Sequence, residues 1–195
     1  MKIDYPQGAT PLEREELEGL LLSIKTQGDL NRFEKQAIFE CRFDLRKNRK
    51  IKKDILTLSG LKVLHRKMFA PVWSWAGEFR STEKNIGIAP QEIQIQLQQL
   101  CENCLHRLSD LKADSWPEFA AFFHHALVSI HPFPNGNGRH ARLATDLLSW
   151  RIKLPEPSWG QSDLTDANPE RARYITALKR ADCGDLKPLI QFMFT

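Results

Sequence analysis

Residues 131–142 carry the densest set of side chains suited to chemistry in this chain. The segment reads HPFPNGNGRHAR and places His131 within twelve residues of two glycines and two arginines. An imidazole titrates near neutral pH and can take a proton from a hydroxyl group, which is the role of a general base. Gly136 and Gly138 let backbone N–H groups approach an anion closely. The residue types therefore predict a base beside an anion-binding turn.

Two helices must position this loop. Before it, a capping box at 115–118 opens a helix whose apolar residues recur at helical spacing. Pro132 and Pro134 end that helix, which puts His131 at a helix end facing a cleft. After it, a leucine stripe predicts a helix over 138–151. A helix N-terminus favours phosphate, because its first N–H groups and its dipole attract negative charge.

Arg139 and Arg142 lie in the first turn of the second helix. Guanidinium groups make charge-assisted, often bidentate, contacts with phosphate. The residues alone leave an alternative open, a structural glycine turn with two incidental arginines. They also do not identify a nucleotide.

Helical patterns dominate the rest of the chain. Thr10–Glu13 fits a second capping box, with Pro11 at the first helical position, and predicts an N-terminal helix with apolar residues up to Ile24. Residues 79–82 and 85–88 resemble short extended pieces joined by a turn. Further helices are predicted from Gly28, over 56–69, over 91–109, from a cap at Asn168 and after Asp185.

The loop resembles the motif of the Fic family, His-x-Phe-x-Asp/Glu-Gly-Asn-Gly-Arg-x-x-Arg, at every fixed position except Asn135. Residues 64–80 are similar to the segment that opens the Fic core, and residues 174–186 to its closing helices. The resemblance implies an all-α Fic fold, a helical bundle with a small β-hairpin flap. It implies one domain over 1–195, with an N-terminal part at 1–30 and a core at 50–195.

The same resemblance implies transfer of AMP from ATP to a hydroxyl of a target protein. His131 would deprotonate the target serine, threonine or tyrosine, and Phe133 would anchor the loop. The implied phosphate-binding residues are Gly136, Asn137, Gly138, Arg139 and Arg142. The implied flap residues, which would hold the target segment by strand addition, are Asn85, Ile86, Gly87 and Ile88.

Asn135 stands where the family has an acid that ligates Mg²⁺. An asparagine carbonyl is an oxygen ligand but lacks the charge that a hard cation prefers. Three outcomes stay open: Mg²⁺ (or Mn²⁺) held mainly by the nucleotide, a different phosphate-containing donor, or a catalytically weak protein that regulates as a nucleotide-binding partner or toxin component.

Glu18-Gly19 resembles the end of the inhibitory helix pattern Ser/Thr-x-x-x-Glu-Gly/Asn, with Arg14 in place of the hydroxyl residue. The resemblance implies that Glu18 pairs with Arg142 and misplaces the nucleotide. The alternative is a solvated glutamate in an acidic first helix.

Composition bounds these hypotheses. The 195 residues, 42% of them hydrophobic, suit one domain with a substantial core. No apolar run is long enough to span a membrane, and the first residues lack an apolar signal region, so a cytoplasmic protein is expected.

The basic run at 46–53 suits nucleic acid, but a solvated surface is the favoured interpretation. Homo-oligomerisation and a small helix-turn-helix partner protein stay open.

Cysteines and the remaining histidines favour packing over metal chemistry. Cys101 and Cys104 share one helical stripe with leucines, which predicts a reduced pair in the core rather than a zinc site. His124 and His125 precede the loop with only His131 at a useful distance. We therefore interpret both as packing or supporting residues.

Overall fold

The computed structural model describes residues 10–24, 26–161 and 169–195, and within these ranges the protein is built from α-helices. The helices are α1 (Arg14–Leu17), α2 (Gln27–Lys47), α3 (Arg49–Asp54), α4 (Leu58–Phe69), α5 (Ile93–Leu108), α6 (Trp116–Ile130), α7 (Asn137–Ile152), α8 (Pro169–Asp182) and α9 (Lys187–Phe194). The predicted cap at Asn168 and the first nine residues lie outside the described ranges.

Helices α6 and α7 pack against each other at the centre of the bundle. Their facing side chains are fully buried, among them Phe119, Phe123, Leu143 and Leu147. Burying each such side chain stabilises the fold by roughly 1.5–3 kcal/mol. Since α6 ends and α7 begins at the loop of residues 131–136, two buried helices hold that loop from both sides.

Most predicted helices form, but their ends differ from the expectation. The capping box at 115–118 does not form, because Ser115 closes a short 3₁₀ turn and its side chain caps no N–H group. Helix α2 begins one residue before Gly28 and is capped by the hydroxyl of Thr26. The basic run contains a helix that was not predicted, α3, which buries Ile51 against the core.

The predicted N-terminal helix is mostly wrong. Helix α1 is a single turn whose cap is Glu13, not Thr10, and the chain leaves the helix after Glu18. Beyond it, the backbone N–H of Leu21 donates to the carbonyl of Val72, and Leu20 forms an antiparallel bridge with Trp73. Pairing with a distant segment therefore overrides the local helical pattern.

The predicted β-hairpin flap is also not formed, and no strand is assigned in the described residues. The guanidinium of Arg80 donates to the carbonyls of Thr82 and Ile88 inside the loop, and to His131 at its other side. Arg80 N–H donates to Pro132 O at 2.9 Å. Backbone groups of residues 79–88 thus form their hydrogen bonds with the buried Arg80 side chain and with the motif loop, rather than with each other.

The cysteine prediction is confirmed. Cys101 and Cys104 are buried free thiols, and burial raises the pKa of each to about 12. None of the described helices has both the length and the apolar composition that a membrane crossing requires.

Candidate active site

The motif loop is held by one aromatic side chain and one amide. Phe133 is fully buried and stacks on His65, with ring centroids 3.8 Å apart. The side chain of Asn137 accepts from Phe133 N at 2.8 Å and donates to Phe133 O at 2.7 Å. The amide of Asn137 is therefore committed to the loop, which leaves only its backbone to face an anion.

His65 is a supporting residue that sequence reasoning did not single out. Its Nδ1 accepts the N–H of Gly77 at 2.9 Å, so Nε2 carries the proton and donates to the carbonyl of Asn135 at 3.1 Å. Complete burial holds the pKa of His65 well below its ordinary value. A neutral ring in one tautomer thus fixes the loop from beneath.

Gly136 permits the turn between the two helices. Its φ is +77°, and a Cβ at this position would lie 2.5 Å from the ring of Phe69. Gly138 lies in the first turn of α7, where a Cβ would meet nothing closer than 3.8 Å. By helix geometry the first N–H groups of α7 lack an intrahelical acceptor, so they are suited to an anion.

His131 caps α6 in the left-handed conformation, with φ of +53°. Its Nδ1 lies 3.3 Å from the carbonyl of Val128, which can only accept, so Nδ1 carries the proton. Nε2 is then an acceptor, and the hydroxyl of Thr10 lies 2.8 Å from it. Burial lowers the pKa of His131 to about 4, which keeps the ring neutral at physiological pH.

Asn135 connects the loop to its neighbours through its side chain. Its Oδ1 accepts from Gly136 N at 2.5 Å and from Arg139 at 3.3 Å, and its Nδ2 donates to the carbonyl of Thr10 at 3.3 Å. Thr10 was predicted to cap a helix. The structure instead places both of its polar groups against the motif loop.

Arg139 is held by Glu34 of α2, a residue that the sequence reasoning missed. The Nη1 group of Arg139 lies 2.7 Å from Glu34 Oε2, and Trp73 donates to the other oxygen at 2.8 Å. A signal was present: Glu34 falls on the buried stripe of α2 with Leu30 and Ala37. An acid on such a stripe requires a partner.

Arg142 is half-buried and lies over the ring of Tyr174 at 5.6 Å. Burial lowers the pKa of Arg142, and the nearby Tyr174 and Asp146 partly offset that effect. The hydroxyl of Tyr174 also bonds His124 at 2.8 Å. His124 thus supports Arg142 through Tyr174.

The structure does not bring Glu18 to Arg142. Glu18 is exposed and pairs with Arg14 at 3.7 Å, one turn back along the chain. Among the described residues no carboxylate lies within ion-pair distance of Arg142. The predicted inhibitory contact is therefore absent from this structure, and the acid that does meet a motif arginine is Glu34.

The four predicted flap residues lie along an irregular loop beside His131. Ile86 is exposed, whereas Ile88 N–H reaches the carbonyl of Ile130 at 3.5 Å. Gly87 lies close to His131, since a Cβ at position 87 would be 2.7 Å from the Cβ of His131. Asn85 is exposed.

Comparison with known proteins defines the class. Residues 55–149 match the sequence model of the Fic/DOC family. The fold is similar to that of BepC from Bartonella tribocorum, a VirB-translocated effector with bound AMPPNP, at a TM-score of 0.70 and 19% identity over 97% of this chain and 93% of that one. Fic-1 from C. elegans (aa134 - 508) gives a TM-score of 0.63 at 24% identity, over 90% of this chain and 51% of that one. Residues 55–149 of this chain therefore form a domain of the Fic/DOC family.

Curated relatives are longer proteins. The protein adenylyltransferase Fic of Nematostella vectensis is 29% identical over 147 residues, which is 73% of this chain and 32% of that protein. The protein adenylyltransferase fic-1 of Caenorhabditis elegans is 31% identical over 147 residues, 72% of this chain and 27% of that protein. The chain thus spans about a third of the length of the curated relatives it matches.

Proposed function

We propose that this protein transfers AMP from ATP to a hydroxyl side chain of a protein. The observation that carries the proposal is the hydroxyl held 2.8 Å from Nε2 of His131, on a ring whose proton is on Nδ1. That is the geometry a general base needs. The names of the curated relatives and the AMPPNP in the similar effector structure support ATP as the donor.

In the proposed reaction the target oxygen attacks the α-phosphorus of ATP while Nε2 of His131 takes its proton. One bond forms between that oxygen and the phosphorus. The bond from the α-phosphorus to the bridging oxygen breaks, and pyrophosphate leaves with the electron pair. A neutral imidazole can take the proton directly, because burial keeps His131 unprotonated.

The phosphates would lie at the N-terminus of α7. Backbone N–H groups of Gly136, Asn137 and Gly138 face that end, although the N–H of Gly136 is already shared with Asn135. Arg139 and Arg142 would add charge, Arg142 to the distal phosphate. Arg139 is held in place by Glu34, so little side-chain entropy is lost when phosphate arrives.

The target segment would lie along Asn85, Ile86, Gly87 and Ile88. This loop adjoins His131, and Ile86 offers an exposed apolar side chain. Since Ile88 N–H already donates to Ile130, strand addition would use the exposed residues 85–87.

The residues of the loop do not fit a divalent cation by themselves. No group of three histidines, cysteines or acids that could hold a metal occurs in the described ranges. Oδ1 of Asn135 already accepts two hydrogen bonds, one of them from the guanidinium of Arg139. An uncharged oxygen that already accepts from the guanidinium of Arg139 is a poor ligand for Mg²⁺ or Mn²⁺. We propose that either ion enters with the ATP phosphates, and we assign no step to it.

The test uses ATP labelled at the α- or the γ-phosphate, with Mg²⁺ or Mn²⁺ and a bacterial lysate as the source of targets. We expect protein-bound label from α only, and none with His131→Ala. His106→Ala, at an exposed histidine of α5, is the matched control and should keep full activity. Label that persists in His131→Ala would contradict the proposal.

A second candidate is favoured by Asn135 itself, since it replaces the acid expected for metal-assisted transfer. The protein would then bind nucleotide without turnover, or move a different phosphate-containing group. ATP binding without label from either position would support the first alternative. Label from γ alone would support the second.

A further inference from the structure

Thr10 occupies the place of an acceptor hydroxyl in this structure. Thr10 is buried, with 6% of the residue exposed, and its hydroxyl lies 2.8 Å from Nε2 of His131. Since Nε2 carries no proton, Thr10 must donate the hydrogen bond. The proton in that bond is the one that a general base removes from a hydroxyl when its oxygen attacks phosphorus.

The motif loop holds Thr10 at a second point. Nδ2 of Asn135 donates to the carbonyl of Thr10 at 3.3 Å. An ionised acid at this position has no donor, and its charge would face a carbonyl oxygen. The departure of Asn135 from the family motif therefore matches the way this chain binds its own N-terminal segment.

The residues that follow Thr10 are tied to the segment beside the base. The ammonium of Lys84 donates to the carbonyl of Pro11 at 3.3 Å and pairs with Glu16 at 2.5 Å. Thr82 donates to the other oxygen of Glu16 at 3.1 Å. Only 1% of the Lys84 side chain is exposed, so this anchor is shielded from water. Residues 10–16 thus lie against residues 82–84 as a bound peptide would.

We propose that Thr10 is a self-modification site, at which this protein attaches AMP to its own chain. The inference rests on the proposed function. The Thr10 oxygen attacks the α-phosphorus of ATP, and Nε2 of His131 takes its proton. The Thr10 O–P bond forms, the α–β phosphoanhydride bond breaks and pyrophosphate leaves.

Tethering gives Thr10 an advantage over any outside hydroxyl. A group held beside the base reacts at a high effective concentration, because the entropy of bringing the reactants together has already been lost in folding. Self-modification should therefore be first order, with a rate constant independent of protein concentration. An outside target must first displace residues 10–12.

The experiment incubates the full chain with α-labelled ATP and Mg²⁺ or Mn²⁺, with and without a bacterial lysate, and maps the self-label by peptide mass spectrometry. We expect the label on Thr10. Thr10→Val should lower self-label by about tenfold or more, Thr10→Ser should retain it, and His131→Ala should abolish it. Thr195→Val, at an exposed threonine, is the matched control and should label like the wild type.

The lysate separates the two proposals. If lysate proteins are labelled but Thr10 is not, self-modification is overturned and AMP transfer stands. If nothing is labelled, both fail. Lysate labelling by Thr10→Val would show that the variant is folded and has lost only its internal acceptor. A self-labelling rate constant that rises in proportion to protein concentration would mean that one molecule modifies another. It would overturn modification of Thr10 by the His131 of its own chain.

Discussion

Gly87 controls how closely the loop of residues 79–88 approaches His131. Its φ is +107°, and a Cβ would lie 2.7 Å from His131 Cβ and 2.8 Å from a guanidinium nitrogen of Arg80. Neither neighbour can move freely, because His131 caps α6 and Arg80 donates to several backbone carbonyls. Space as well as backbone freedom therefore requires glycine at this position.

We predict that Gly87→Ala displaces the base and lowers labelling by roughly a hundredfold, the effect expected of a shift of about 1 Å. Gly184→Ala is a matched control, since Gly184 also has a positive φ but a Cβ there would meet nothing within 4 Å. Initial rates with α-labelled ATP measure both. Equal losses in the two variants would mean that backbone strain, not contact with His131, is responsible.

Asn135 connects Thr10 to Arg139, and a carboxylate could serve only one of these contacts. We predict that Asn135→Asp releases Thr10, because the donor to its carbonyl is lost, and raises Mg²⁺-dependent labelling of lysate proteins by about tenfold. Initial rates over a range of Mg²⁺ concentration measure the effect. Asn48→Asp, at the cap of α3, adds the same charge away from the loop and should change nothing. An unchanged rate in Asn135→Asp would show that this side chain limits neither metal use nor access.

At the scale of elements, α2 serves the site through one buried acid. Glu34 accepts from Arg139 of α7 and from Trp73, so a single carboxylate connects three segments of the chain. Such a charge-assisted pair is expensive to break, because the remaining charge loses its partner in a poorly solvated place. The orientation of the first motif arginine therefore depends on how α2 packs.

We predict that Glu34→Gln lowers the free energy of unfolding by about 1–3 kcal/mol, since the amide is neutral and its single acceptor oxygen cannot serve both Arg139 and Trp73. Urea unfolding measures the change. Glu40→Gln, on the exposed side of the same helix, should change stability by less than about 0.5 kcal/mol. Equal effects from the two variants would rule out a special role for the pair of Glu34 and Arg139.

At the scale of the whole molecule, several neutral histidines are buried around the central helices. Burial lowers the pKa of His131 and His140 to about 4 and that of His124 to about 3, and holds that of His65 well below its ordinary value. In the unfolded chain these rings titrate near pH 6.5. Between pH 6.5 and pH 4 the unfolded chain therefore binds more protons than the folded protein.

We predict that the free energy of unfolding is highest above pH 6.5 and falls as the pH drops towards 4, by up to about 1.4 kcal/mol per pH unit for each ring. Urea unfolding at about pH 7 and about pH 5 tests this. His106→Ala, at an exposed ring, should keep the same pH dependence of stability. His140→Gln should make the slope shallower, because the unfolded chain then binds about one proton fewer. A stability independent of pH in this range would contradict the burial of these rings.

The sequence by itself determined which side chains the loop carries and where most of the helices lie. His131, the glycines and the arginines are adjacent along the chain, and α4 to α7 follow from apolar periodicity, which is a local property. The position of His131 at a helix end follows in the same way from Pro132 and Pro134. Such features need no knowledge of distant residues.

Only the tertiary structure decided what meets the loop. Thr10, Glu34 and Arg80 lie 121, 105 and 51 residues from their partners His131, Arg139 and His131. Thr10 fitted a helix cap locally, yet the fold buries its hydroxyl and places it 2.8 Å from the neutral imidazole of His131. In the same way, the Arg80 side chain donates to backbone carbonyls of its own loop and of His131, and the loop is irregular where a hairpin was expected. Contacts between distant segments leave no periodic signal, because they depend on how the helices pack rather than on spacing along one of them.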